Sequence, residues 1–186
     1  MTEEQYLAFD RASEMKYEYL DGEAVAMAGG SEKHSRLTLR MTGLLEALPG
    51  TDGPCRVYNN DMRVLVAKRQ YVYPDVSVSC DTSDHDEDSD IMRFPHLVVE
   101  VLSPSTELND RGKKLNWYKA HPSIQEYVLI NTRIQLVEVY RRGQQGEPWA
   151  YETCTAGEEI ELQSLDSTIA IDELYKGLRI PLPREE

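Results

Sequence analysis

The segment His96–Thr106, HLVVEVLSPST, constrains the fold more than any other stretch of the chain. In a β-strand successive side chains point to opposite faces. Leu97, Val99 and Val101 therefore share one face, and Val98, Glu100 and Leu102 share the other. Both faces are apolar, the pattern of a central strand covered on both sides. Such a strand requires a layered molecule with packed elements above and below a sheet. Glu100 interrupts the pattern. Burying an unpaired carboxylate costs roughly several kcal/mol, comparable with the net stability of a domain. A salt bridge, a proton or a metal ion must compensate it. The ordinary alternative is a structural ion pair, or a sheet-end carboxylate that reaches solvent.

The neighbouring segments fit a layered arrangement. Residues 2–12 read as a short helix with Thr2 as N-cap. KYEYLDGEAVAMAGG at 16–30 reads as two strands around Asp21-Gly22. Residues 32–48 place Leu37, Met41, Leu44, Leu45 and Leu48 at helical spacing. Pro-Gly and Gly-Pro signals break the chain at 49–54. Residues 55–80 read as three strands, 109–120 as a helix ending before His121-Pro122, and 125–131 and 134–141 as further strands. Shorter strands follow Trp149, and 171–178 is a short terminal helix. The expected fold class is α/β, or mixed α+β, with a central mixed sheet flanked by helices in a single domain over residues 1–186.

A second carboxylate points to the same place. In YVYPDVSVSC, Asp75 follows a proline near the start of a strand. If that strand pairs with 96–102, Asp75 and Glu100 converge. Two hard oxygen ligands with a backbone carbonyl and waters suit Mg²⁺ or Mn²⁺. Asp110, Lys114 and Tyr118 stand at i, i+4 and i+8 and so lie near one helical stripe. The same spacing also suits a surface salt bridge beside a packed tyrosine. This helix follows Glu100 through the short SPST connection, so its first turns lie near the C-terminal end of the strand, where ligands bind in α/β sheets. Lys114 can reach the space above Glu100.

The segments YPDVSV, LVVEVLSPST, DRGKKLNWY and IQEYVLIN, with the opening YEYLDGEAVAMAGGSEKHSRL, resemble the Uma-two family from about residue 5 to 178. This family of short bacterial proteins is described as restriction-endonuclease-like and placed in the PD-(D/E)XK nuclease superfamily. The resemblance implies a restriction-endonuclease-like core and hydrolysis of DNA phosphodiester bonds with Mg²⁺ or Mn²⁺. It implies Asp75 and Glu100 as metal ligands, with the backbone carbonyl of Val101 as a further one. The superfamily's lysine, two residues after the glutamate, is replaced here by Leu102, and the resemblance implies that Lys114 supplies the ammonium instead. Glu18 and His34 match family positions, Glu18 as a further acid near the metal and His34 as a packing or supporting residue. Asp110 is expected to cap or orient the helix and Tyr118 to contact phosphate; a purely structural role is open for both. Asn131 and Val128 stand where the family usually has aspartate and tryptophan.

Charge complicates that reading. The formal net charge is −13, which opposes non-specific nucleic-acid binding. Residues Arg111 to Arg142 carry seven basic and two acidic side chains, a local +5 against −18 elsewhere. A DNA-cutting protein would use that segment as its phosphate surface. The acidic run DTSDHDEDSD at 81–90 reads as a solvated loop; it lacks the glycine and closing glutamate of a calcium loop. Cys55, Cys80 and Cys154 have no metal-ligand spacing and read as free core thiols in a reducing cytoplasm. No apolar run is long enough for a membrane span, and the acidic N-terminus is not expected to be a signal peptide. Three functions stay open: a metal-dependent DNA endonuclease, expected as a cytoplasmic homodimer; a nuclease-fold protein that cuts little and serves as a binding module; and a nuclease of RNA or small nucleotides.

Overall fold

The computed structural model describes residues 1–48, 53–144 and 147–184; the expected Pro49-Gly50 break lies outside the described residues. Helix α1, Glu3–Ala12, starts in a capping box in which Thr2 and Gln5 each satisfy the other's backbone N–H. Strands β1, Tyr17–Leu20, and β2, Glu23–Ala26, form the expected hairpin. Asp21 (φ 53°) and Gly22 (φ 93°) both take the left-handed conformation that a two-residue hairpin turn demands. Helix α2, Glu32–Glu46, is capped by Ser31 and buries Leu37, Met41 and Leu45.

Residues 55–80 hold four strands instead of three: β3, Arg56–Asn59, β4, Arg63–Ala67, β5, Gln70–Val72, and β6, Val76–Ser79. The additional boundary is the tight turn at Lys68-Arg69, with Arg69 at φ 61°, which periodicity alone does not reveal. The short strand β7, Ile91–Met92, was also not expected; it pairs parallel with β4. Strand β8, Pro95–Val101, contains Glu100. Helix α3 is continuous from Glu107–Asn109 through a π-helical turn, Asp110–Lys114, to Leu115–Ala120. Strands β9, Glu126–Ile130, β10, Leu136–Arg141, β11, Ala150–Thr155, β12, Glu159–Leu162, and β13, Ser167–Ala170, complete the sheets before helix α4, Ile171–Tyr175.

The strands form one sheet in the order β2-β1-β5-β4-β7, a second in the order β11-β10-β9-β8-β6-β3, and the β12-β13 hairpin. The fold is therefore mixed α/β with central mixed sheets flanked by helices, as expected. In the second sheet β8 lies between antiparallel β6 and parallel β9, and α3 supplies the crossover that a parallel pair needs. The two faces of β8 enter different cores. Leu97, Val99 and Val101 pack with α2, β12, β13 and α4. Val98 and Leu102 pack with Val64, Val66, Val72, Tyr118 and Tyr127, between α3, β9 and the first sheet. Covering both faces makes Glu100 a buried residue, not a rim one; it is 4% exposed.

Two expectations are corrected. Cys55 and Cys80 form a disulfide, because the β3–β6 register Arg56↔Ser79 sets the flanking cysteines opposite each other; Cys154 alone is free, and buried. The acidic run is not wholly solvated. Asp84 is buried and accepts hydrogen bonds from Ser79 Oγ and from the backbone N–H groups of Arg93 and Phe94, which ties the loop down. Among the described residues no helix is long and apolar enough to cross a membrane.

Candidate functional site

The residues singled out in the sequence converge at the C-terminal end of β8. The register Val76↔Val99 sets Asp75, the residue before β6, beside Glu100. Asp75 Oδ2 accepts the Val101 backbone N–H at 2.7 Å and lies 3.2 Å from His34 Nε2. His34 comes from the first turn of α2. Gly30 makes room for it: a Cβ at Gly30 would lie 2.7 Å from His34 Nδ1. The hydrogen bond to Asp75 raises the His34 pKa against the opposing effect of burial, with smaller contributions from the charges of Asp75 and Asp110 and from the Val101 carbonyl.

Lys114 is the hub. Its Nζ lies 2.9 Å from Glu18 Oε1, 3.0 Å from Glu100 Oε1 and 3.6 Å from Asp110 Oδ1. Burial alone would depress the Lys114 pKa. The charges of Glu100, Glu18 and Asp110 outweigh it and hold the ammonium well above its ordinary value. Tyr118 OH donates to Glu100 Oε1 at 2.8 Å, and Glu18 on β1 also accepts the Tyr73 backbone N–H at 3.3 Å. Glu100 has its pKa raised well above the carboxylate range, first by burial and then by Asp110, Asp75 and Glu18, with Lys114 opposing. Burial likewise raises Asp110.

Four carboxylates, Glu18, Asp75, Glu100 and Asp110, thus surround one ammonium and one imidazole, all largely buried. The excess negative charge and the hard oxygen donors suit a divalent cation. Both Asp110 carboxylate oxygens are buried without a hydrogen-bond partner, so the site is short of a donor there. Among the described residues no three His, Cys, Asp or Glu side chains are grouped closely enough to hold an ion by themselves. The donors fit an ion of the Mg²⁺ type, which binds through one or two carboxylates and keeps several waters.

Two residues take the structural roles left open for them. Asp110 does not cap the helix, because α3 begins earlier, at Glu107; it sits inside the π-helical turn, 1% exposed. Tyr118 is fully buried, so its hydroxyl fixes Glu100 and is not presented to a surface phosphate. The π-helical turn itself was not anticipated. Its extra residue resets the phase of the helix so that Asp110 and Lys114 both face inward, and such turns occur often at functional sites. Tyr127 was also missed: its hydroxyl donates to the Asp110 carbonyl at 3.1 Å and pins that turn. A tyrosine among the aliphatic residues of EYVLI, on Glu100's side of the sheet by the Val98↔Tyr127 register, was the available signal.

The cations of the basic segment are largely engaged, Lys113 and Arg133 in exposed pairs. Arg111 binds Glu138 and Glu107, Lys113 binds Asp21, Arg133 binds Glu107, and Arg141 binds Glu126 and Glu152. Arg142 donates to the carbonyls of Ile124, Lys119 and His121. Lys119 lies over the Tyr140 ring, 4.6 Å from its centroid.

Comparison with known proteins places this geometry. A crystal structure described as a "putative nuclease belonging to DUF820", from Anabaena variabilis ATCC 29413, has the same fold, with a TM-score of 0.77 at 21% identity over 94% of this chain and 97% of that one. The uncharacterized protein slr1290 of Synechocystis sp. is 37% identical over 180 residues, 96% of this chain and 93% of its own length. A second Synechocystis protein, sll1609, also uncharacterized, is 33% identical over 144 residues, 76% of this chain and 81% of its own length. The model of the Uma2 family, described as "Putative restriction endonuclease", matches residues 3–173, and the chain belongs to that family.

Proposed function

We propose that this protein is a divalent-metal-dependent endonuclease that hydrolyses phosphodiester bonds of DNA, acting as a single domain over residues 1–186. The observation that carries the reading is the buried excess of carboxylate at the end of β8, where Asp75 and Glu100 lie beside a lysine held charged by its neighbours. Asp75, Glu100 and the Val101 carbonyl would hold Mg²⁺ or Mn²⁺. Such an ion, when bound, supplies Lewis acidity toward a phosphate oxygen and acidifies water. The chain's own residues do the rest. Tyr118 keeps Glu100 in one orientation through its 2.8 Å hydrogen bond. The Val101 N–H and His34 hold Asp75. Lys114 carries the positive charge that stabilises the pentacovalent phosphate. Glu18 and Asp110 keep that lysine protonated. A homodimer, as two-strand cutting requires, and a cytoplasmic location belong to the same proposal.

One observation favours a second reading. The engaged cations of residues 111–142 leave little free charge for DNA, as expected of a nuclease-fold protein that cuts weakly and serves as a binding module. One experiment separates the two. Mg²⁺ and Mn²⁺ are titrated calorimetrically into wild type and Glu100→Gln, and the same preparations are assayed for plasmid nicking. Binding and nicking that both disappear in the variant support the endonuclease. Metal binding without cleavage of any nucleic acid favours the binding module. Wild type that binds no metal sinks the metal-dependent reading.

A further inference from the structure

Asp110 is the one acid of the site whose carboxylate oxygens accept no hydrogen bond, although the residue is 1% exposed. Its backbone is well held: its N–H donates to the Thr106 carbonyl at 2.9 Å, and its own carbonyl accepts from Tyr127 OH at 3.1 Å. Glu100 is likewise held by Tyr118. Between them lies the long side chain of Lys114. Its ammonium has two close acceptors, Glu18 Oε1 at 2.9 Å and Glu100 Oε1 at 3.0 Å, and faces Asp110 Oδ1 at 3.6 Å, beyond hydrogen-bonding distance.

A divalent ion on Glu100 would repel this ammonium and take over the oxygen it uses. A buried ammonium that loses an acceptor must find another. The two bare oxygens of Asp110 are the nearest, and a shift of about 1 Å brings Nζ into contact with one of them. We infer that Asp110 is a positioning residue: it offers the alternative seat that receives the Lys114 ammonium when a cation occupies Glu100. It acts on the cation only through Lys114 and is not itself a ligand. The inference rests on the metal-dependent reading proposed above and adds a second role to the part Asp110 plays in keeping Lys114 protonated.

The test is a double-mutant cycle on Mn²⁺ affinity, measured by calorimetry, with Asp110→Asn, Lys114→Met and the double variant. With Lys114 present, Asp110→Asn is expected to weaken Mn²⁺ binding by about tenfold, the size of an indirect contribution to a metal site. In the Lys114→Met background the same change is expected to alter affinity by less than about twofold. Equal weakening in both backgrounds would make Asp110 a direct ligand and overturn the inference. So would no weakening in either. Circular dichroism checks that each variant is folded, and Lys114→Gln replaces Lys114→Met if the methionine variant is not. Should wild type bind no Mn²⁺, the metal-dependent reading fails and the inference falls with it. Should wild type bind and Glu100→Gln not, an additive cycle defeats only the role of Asp110.

Discussion

Glu100 is a buried carboxylate amid other acids, and its consequences can be measured one residue at a time. Burial raises the pKa of Glu100, and of Asp110, above the ordinary carboxylate value. The folded protein therefore keeps protons that the unfolded chain releases, and stability falls as pH rises from the ordinary carboxylate value toward the raised one. His34, also raised, acts in the same direction above its ordinary range. With a chelator present, the melting temperature of wild type is expected to drop between about pH 5 and pH 8, and that of Glu100→Gln to drop clearly less. Parallel melting profiles for the two proteins would contradict the assignment. Tyr118→Phe removes only the hydroxyl that donates to Glu100 Oε1 and keeps the ring packed on Tyr127. Urea denaturation should show a loss of about 0.5 to 3 kcal/mol, the range that spans hydrogen bonds to neutral and to charged acceptors. No loss would mean that Glu100 is oriented by Lys114 alone. At this scale the sequence was informative. A carboxylate in a two-faced apolar strand is visible without coordinates, and so is its need for a partner.

The element that most alters the site is the π-helical turn of α3. The i, i+4, i+8 spacing of Asp110, Lys114 and Tyr118 already indicated a shared stripe, but a regular α-helix would drift along it. The wider turn corrects the drift, and the Tyr127 hydroxyl on the Asp110 carbonyl fixes it in place. Nothing local in DRGKKLNWY requires this turn. What β9 adds is the Tyr127 hydroxyl, a long-range contact that no periodicity encodes. Gly112 lies in the turn, and a Cβ there would meet nothing within 4 Å. Gly112→Ala should therefore stabilise the protein by about 0.5 to 1 kcal/mol through helix propensity. It should also leave Mn²⁺ affinity within about twofold, because the inward face is untouched. A loss of affinity together with the gain in stability would show that the turn must flex when the ion binds.

For the whole molecule, the net charge of −13 bears on the proposed DNA substrate. The cations of residues 111–142 are engaged with acids, carbonyls and an aromatic ring, so few are free to displace counterions. Lys68 and Arg93, which line a pocket with His121, make no ion pair among the described residues, but Arg93 stands at the N-terminal end of β8, the end opposite Glu100. Binding to labelled DNA, followed by anisotropy against salt concentration, should give a slope of log K against log salt shallower than about −3. A slope of −5 or steeper would mean that the basic segment opens to the substrate. Sequence alone determined that this chain needs a central strand covered on both faces, that an acid lies in that strand, and that Asp75 and Lys114 could reach it. Those features follow from alternation, helical spacing and a short connection, all local rules. Tertiary structure decided which charges cancel: that Lys114 sits between Glu18 and Glu100, that Asp110 is left bare, that the basic segment is consumed, and that Cys55 meets Cys80. Charge pairing depends on distances across elements far apart in the chain, and only packing sets those distances.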